Sequence, residues 1–175
     1  MTDPVDELLE QWRRERPDID ASAMGVIGRI SRLSRRVDAE LAPTFRKYGI
    51  DGGGFDVLAT LRRAGAPYSL TPGELTATGL ITSSATAQRI NRLESAGLIS
   101  RSPNPEDGRG VLVTLTPEGL RVVDELLPQH VDNEERLLAV LSSEEREGLA
   151  VLLAKLDAAL VEGEGQAPKR SISSR

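Results

Sequence analysis

Between Ser83 and Ala96, burial of Ile90 and Leu93 on one side of a helix leaves Ser84, Gln88, Arg92 and Ser95 on the other, with Asn91 at the margin and Ser83 at the start. Short polar side chains with one amide and one guanidinium match the donor and acceptor pattern of base edges in a DNA major groove. A solvated helix face is the plain alternative. Arg109, between Gly108 and Gly110, follows Asp107 by two residues. At a tight tip its guanidinium, held by that carboxylate, could enter a minor groove; otherwise the two form an exposed ion pair of little energetic weight. Arg89 falls off the polar stripe and points sideways. Together with Arg101, Asp56 and Trp12 it could line a cleft between a DNA-reading lobe and outer helices. Each also has an ordinary duty: Trp12 completing an apolar stripe, Asp56 as a first-turn helix charge, the arginines solvated or on phosphates.

Elements that would position these residues can be read from periodicity and caps. Val5, Leu8, Leu9 and Trp12 make a short amphipathic helix ending before Pro17, and from about Ser22 a longer one carries Val26, Ile27, Ile30, Leu33, Val37, Leu41 and Phe45. Gly49 ends it, and Pro43 should bend it. Gly52–Gly54 reads as a linker before a helix with Phe55, Leu58 and Leu61. Thr71-Pro72-Gly73-Glu74 is a capping box opening a short helix to Gly79. Thr82 or Ser83 caps the next, which meets Gly97 at its end. Two short helices split by a glycine turn have the shape of a helix-turn-helix. The runs Leu98–Ser102 and Val111–Leu115 around a Pro- and Gly-rich turn then make a β-hairpin, a wing. Thr116-Pro117 opens a further helix, kinked at Pro128, and Ser142-Ser143-Glu144-Glu145 caps a last one with Leu149, Leu152, Leu153, Leu156 and Leu160.

Composition narrows the chemistry. No cysteine among 175 residues excludes disulfides, thiolate metal sites and cysteine nucleophiles, and the single histidine, His130, leaves little for a histidine-based metal site or a serine triad. Without a phosphate-cradling glycine loop as well, neither a hydrolase nor a transferase is expected, and no cofactor is called for. His130 reads as a dimer-surface residue rather than a pH-responsive group. No apolar run approaches a membrane span, and the acidic start does not read as a signal peptide, so a cytoplasmic protein that avoids membranes is expected. The net charge of −5 conceals segregation: −4 over residues 1–20, +4 over 21–117, −7 over 118–162 and +2 over 163–175. A basic middle between acidic flanks suits a nucleic-acid-contacting region served by other segments.

Taken in order, Phe55-Asp56-Val57-Leu58, Thr71-Pro72-Gly73-Glu74-Leu75, the run Arg89–Ile99 and the wing Asn104–Gly110 with its D-x-R resemble the MarR family of transcriptional regulators, over roughly Ser22–Leu160. The resemblance implies a mainly α fold with a small β-wing, in which winged helix-turn-helix lobes of a homodimer read a palindromic operator in double-stranded DNA. Expected parts are an additional N-terminal helix (1–20), a dimerisation helix (21–50), the DNA-binding lobe (51–117), C-terminal dimerisation helices (118–162) and a disordered tail (163–175). The segment around Trp12, with Met24-Gly25-Val26-Ile27-Gly28-Arg29-Ile30, is similar to the urate-responsive, PecS-like branch. There a tryptophan, an aspartate and two arginines hold the ligand, which implies Trp12, Asp56, Arg89 and Arg101 here. The wing departs from that branch in having Gly108 where an arginine is usual. Two guanidinium forks, one carboxylate acceptor and one indole suit a planar anion such as urate. A di- or tricarboxylate, an aromatic acid, or a ligand-insensitive architectural role are the alternatives.

Overall fold

The computed structural model describes residues 3–78, 83–105, 107 and 110–165, with 83–85 and 162–165 described by backbone alone. These residues fall into two compact units, Met1–Asn133 and Glu134–Arg175.

In the first unit α1 (Pro4–Glu15) starts where Asp3 accepts the Val5 N–H and Pro4 occupies the first turn, a position that needs no N–H. It lies on α2 (Ser22–Arg46) over two glycines. Side chains at Gly25 and Gly28 would meet Leu9 at 3.1 Å and Val5 at 3.5 Å, so their absence lets the helices come close. Arg29 closes this contact by donating to both Asp3 and Asp6 at 2.7 Å. The helical run of α2 continues through Pro43, and its end buries Leu41 and Phe45 in the core. Gly49, at φ +71°, makes the turn that follows.

The glycine cluster is no linker. Gly52–Gly54 form the first turn of α3 (Gly52–Arg63), because Asp51 accepts the Gly54 N–H at 2.7 Å and caps the helix there. The linker reading follows from the absence of a preceding strand and gives no weight to the aspartate one residue earlier. α3 sends Phe55, Val57, Leu58 and Leu61 into the core. α4 (Pro72–Thr78) opens with the expected capping box, Thr71 and Glu74 bonding each other's backbone N–H. α5 (Ser83–Ser95) follows, and Gly97 at φ +72° ends its last turn.

The wing strands are β2 (Ile99–Pro103) and β3 (Val111–Leu115), antiparallel with Ile99 opposite Leu115 and Pro103 opposite Val111. A two-residue strand, β1 (Ser69–Leu70), pairs with the far edge of β3, giving the order β1-β3-β2. Two residues between Pro67 and Pro72 are too few to show an alternating pattern, so this strand is set by its partner.

α6 (Pro117–Leu138) runs through Pro128 and crosses from the first unit to the second. Its Val122, Val123 and Leu126 complete the core, with Arg62–Asp124, Gln129–Tyr48 and Asn133–Thr44 hydrogen bonds tying it to α3 and the end of α2. In the second unit, Ser142 and Glu145 form the expected capping box of α7 (Ser143–Gly165), and Arg146 bonds the Leu138 and Leu141 carbonyls and Glu135. α7 reaches three residues into the stretch expected as a tail; residues 166–175 lie outside the described residues. Among the described residues no helix is long and apolar enough to cross a membrane.

The end of α5, the wing and the start of α6 meet at one corner. Thr116 donates its hydroxyl to the Gly97 carbonyl and its N–H to the Leu98 carbonyl, and accepts the Gly119 N–H. A Cβ on Gly119 would stand 1.9 Å from the Leu98 carbonyl oxygen, a backbone atom that cannot turn aside. Gly119→Ala is therefore expected to destabilise the fold by about 1–3 kcal/mol, the usual range for overpacking. Urea unfolding checks this: an unchanged midpoint would contradict the close approach.

Candidate functional site

On α5 the buried side chains are Thr86, Ile90 and Leu93; Gln88, Asn91, Arg92 and Ser95 are exposed. A polar stripe thus stands away from the core, on the second helix of a helix-turn-helix. Arg92 donates to Gln88 and to Asp51, both at 3.3 Å, so an amide and a guanidinium are presented together. The side chains of Ser83 and Ser84, and Arg109 at the wing tip, lie outside the described residues; Asp107, beside the tip, is exposed.

Arg89 is half-buried and leaves the stripe. Its guanidinium crosses the first turn of α3 at Gly53, where an added Cβ would be 2.0 Å from Nε. One helical turn on is Asp56, close enough for the charge of Arg89 to act on its carboxyl. Burial pushes the Asp56 carboxyl above the usual carboxylate range, and Arg89 and then His130 oppose the shift without cancelling it. His130 is half-buried. Its ring packs against Phe55 at 4.4 Å and Phe45 at 5.5 Å between centroids. Its position in an acidic helix gave no sign of this, because the two phenyl rings come from distant segments.

Beside Arg89 opens a cavity of about 240 Å³, lined by Asp51, Gly54, Arg89, Arg92 and Leu93 among others. Of the four residues expected to hold a ligand, Arg89 lines this cavity; Asp56 does not line it, though the charge of Arg89 reaches its carboxyl. Arg101 does not line this cavity: it borders a cleft with Pro72, Thr76, Thr86, Ile90 and Val111. There its Nε donates to Glu94 at 3.0 Å and Nη2 donates to the same oxygen, so the wing strand is tied to the end of α5. That bond holds the Glu94 carboxyl below its ordinary range. Trp12 stays on α1, 40% exposed. Asp51, Glu94 and Gly53 were not anticipated. Asp51 carried a signal, an aspartate preceding a helix; Glu94 carried none, since its partner lies across a turn and on a strand.

A model of the MarR family matches residues 48–110, from the turn before α3 to the wing. The chain is 41% identical over 157 residues to the HTH-type transcriptional regulator PecS of Dickeya dadantii, which covers 90% of this chain and 95% of that one. The chain belongs to the MarR family. Members are DNA-binding transcriptional regulators rather than enzymes. Among solved structures, a MarR variant of E. coli in complex with operator DNA is similar with a TM-score of 0.67 and 29% identity, over 83% of this chain and 96% of that one. BpsR of Bordetella bronchiseptica, whose DNA binding is regulated by 6-hydroxynicotinic acid, has a TM-score of 0.67 and 28% identity over 73% and 89%. These likenesses agree with the winged helix-turn-helix built above.

Because the Asp56 carboxyl is raised, its ionisation opposes folding. The penalty is absent below the unfolded value of 3.8, where the group is protonated in both states, and is complete once pH exceeds the raised folded value. Asp56→Asn should therefore raise Tm at neutral pH, with the gain disappearing as pH falls towards 3.8. Thermal melts across that range provide the check, and a gain independent of pH would refute the assignment.

Proposed function

We propose that this protein is a homodimeric repressor that leaves a palindromic operator when it binds a small planar anion such as urate. The carrying observation is the division of labour on α5. Gln88, Asn91 and Arg92 face outward, whereas Arg89, one residue from Gln88, turns inward to Asp56 beside a cavity of about 240 Å³. An anion at Arg89 therefore acts on the helix that reads DNA. Ligand release of an operator requires that the anion favour the DNA-incompetent state, typically by about 1–3 kcal/mol of coupling.

In this reading Arg89 and Arg101 are the anion's charged donors, Asp56 accepts a ring N–H and Trp12 supplies a flat apolar face. For Arg101 to take part, the anion replaces Glu94 as its partner. An exposed pair of this kind holds with roughly 0–1 kcal/mol, so exchange costs little. Ser83, Ser84, Gln88, Asn91 and Arg92 read the major groove, and the wing carrying Asp107 and Arg109 reaches the minor groove. Dimerisation is supported by apolar side chains left exposed within each unit, Val26, Ile27 and Leu33 on α2 and Leu152, Leu156 and Leu160 on α7. An aromatic acid is the second reading, favoured by the likeness to BpsR.

Trp12 is the only tryptophan, so intrinsic fluorescence reports binding without a label. Titration with urate, 6-hydroxynicotinic acid and citrate should show urate strongest, and urate should release operator in a mobility-shift assay. Arg89→Ala should weaken urate by about 10- to 150-fold, the loss of one charged hydrogen-bonding group. Unchanged affinity would remove Arg89 from the site.

Operator binding should fall steeply with salt, as expected when several phosphates are neutralised. Arg92→Ala should cost about 1–3 kcal/mol of specific binding and leave non-specific binding nearly intact. Equal losses on operator and random DNA would assign Arg92 to phosphate contact.

A further inference from the structure

Gly53 is a glycine for which the backbone has no need. It lies inside the first turn of α3 and is not among the residues at positive φ, so alanine would fit its conformation and improve the helix. The space is what alanine would not fit. A Cβ at Gly53 would stand 2.0 Å from Nε of Arg89, 2.2 Å from Cζ and 2.5 Å from Nη2. Its neighbours differ: a Cβ at Gly52 would come no nearer than 3.3 Å to Phe45, and one at Gly54 no nearer than 3.3 Å to Asp51 and Ile50. Of the three, only Gly53 has a side chain from another element in the place of the missing methyl.

We propose that Gly53 is a positioning residue, a slot in α3 that seats the Arg89 guanidinium beside Asp56 and off the outward stripe of α5. The inference rests on Arg89 being an anion-binding residue and adds what makes it one. A methyl in the slot displaces the far end of a flexible side chain, so no backbone need move, and Ile90 and Leu93 keep α5 docked. The displaced guanidinium leaves Asp56 and swings towards Gln88 and Arg92. The protein would then still read its operator and no longer answer the anion. The slot thus makes ligand response and DNA reading separable on one helix.

Gly53→Ala tests this in the full-length protein. The expected result is urate affinity reduced at least tenfold by Trp12 fluorescence, operator affinity equal to or above that of the wild type, and an undiminished Tm. Urate affinity and operator release within twofold of the wild type would overturn the slot; so would a loss of operator affinity as large as the loss of urate affinity. If the wild type binds neither urate nor 6-hydroxynicotinic acid, the proposed function fails, and the slot is judged without ligand. Gly53→Ala should then raise Tm more in an Arg89→Ala background, where the methyl meets no guanidinium, than in the wild type. Equal shifts in the two backgrounds would overturn it.

Discussion

A helix of thirteen residues such as α5 cannot hold itself; isolated helices of that length are marginal in water. Its structure, and the angle at which it turns its side chains, must come from what it lies on. Ile90 and Leu93 fix it to the core, and the Thr86 and Thr76 hydroxyls, 3.3 Å apart, meet between α5 and α4. Burial of Ile90 and Leu93 fixes which face of α5 turns to the core. Directional contacts add to it: Arg89 across the first turn of α3, Arg92 to the cap residue Asp51 of the same turn, and the Gly97–Thr116 corner at its end. The start of α3 is the reference against which α5 is aligned.

Energetically these contacts are uneven. The corner at Leu98 and Gly119 involves backbone against backbone and does not yield. The Asp51–Arg92 pair is largely exposed and the Glu94–Arg101 pair partly so, and such pairs add little stability and exchange partners readily. α5 thus has a fixed end and labile side contacts. Asp56 stands between the two kinds. Burial opposes its charge and Arg89 relieves part of the cost, so the pair is sensitive to any third charge entering beside it.

Much was legible in the sequence because many of the signals are local. Capping boxes at Thr71 and Ser142 lie within four residues and were found by both partners. The period of Ile90 and Leu93 set the face of α5 and correctly kept Gln88 and Arg92 apart from Arg89. Alternation in Val111–Leu115 and the turn before it marked the wing, and segment charge pointed to the basic middle of the chain.

Only the folded chain decided where those side chains went. That Arg89 crosses Gly53, that Glu94 takes Arg101, that His130 lies on Phe45 and Phe55, and that two residues at Ser69 form a strand each depend on a close approach between segments far apart in sequence. Three consecutive glycines look alike in the chain, and one of them is singled out by a guanidinium thirty-six positions away. Helix period and capping are written in neighbouring residues and can be read there. A contact made by the absence of a side chain leaves no such mark, because what fills the space comes from elsewhere.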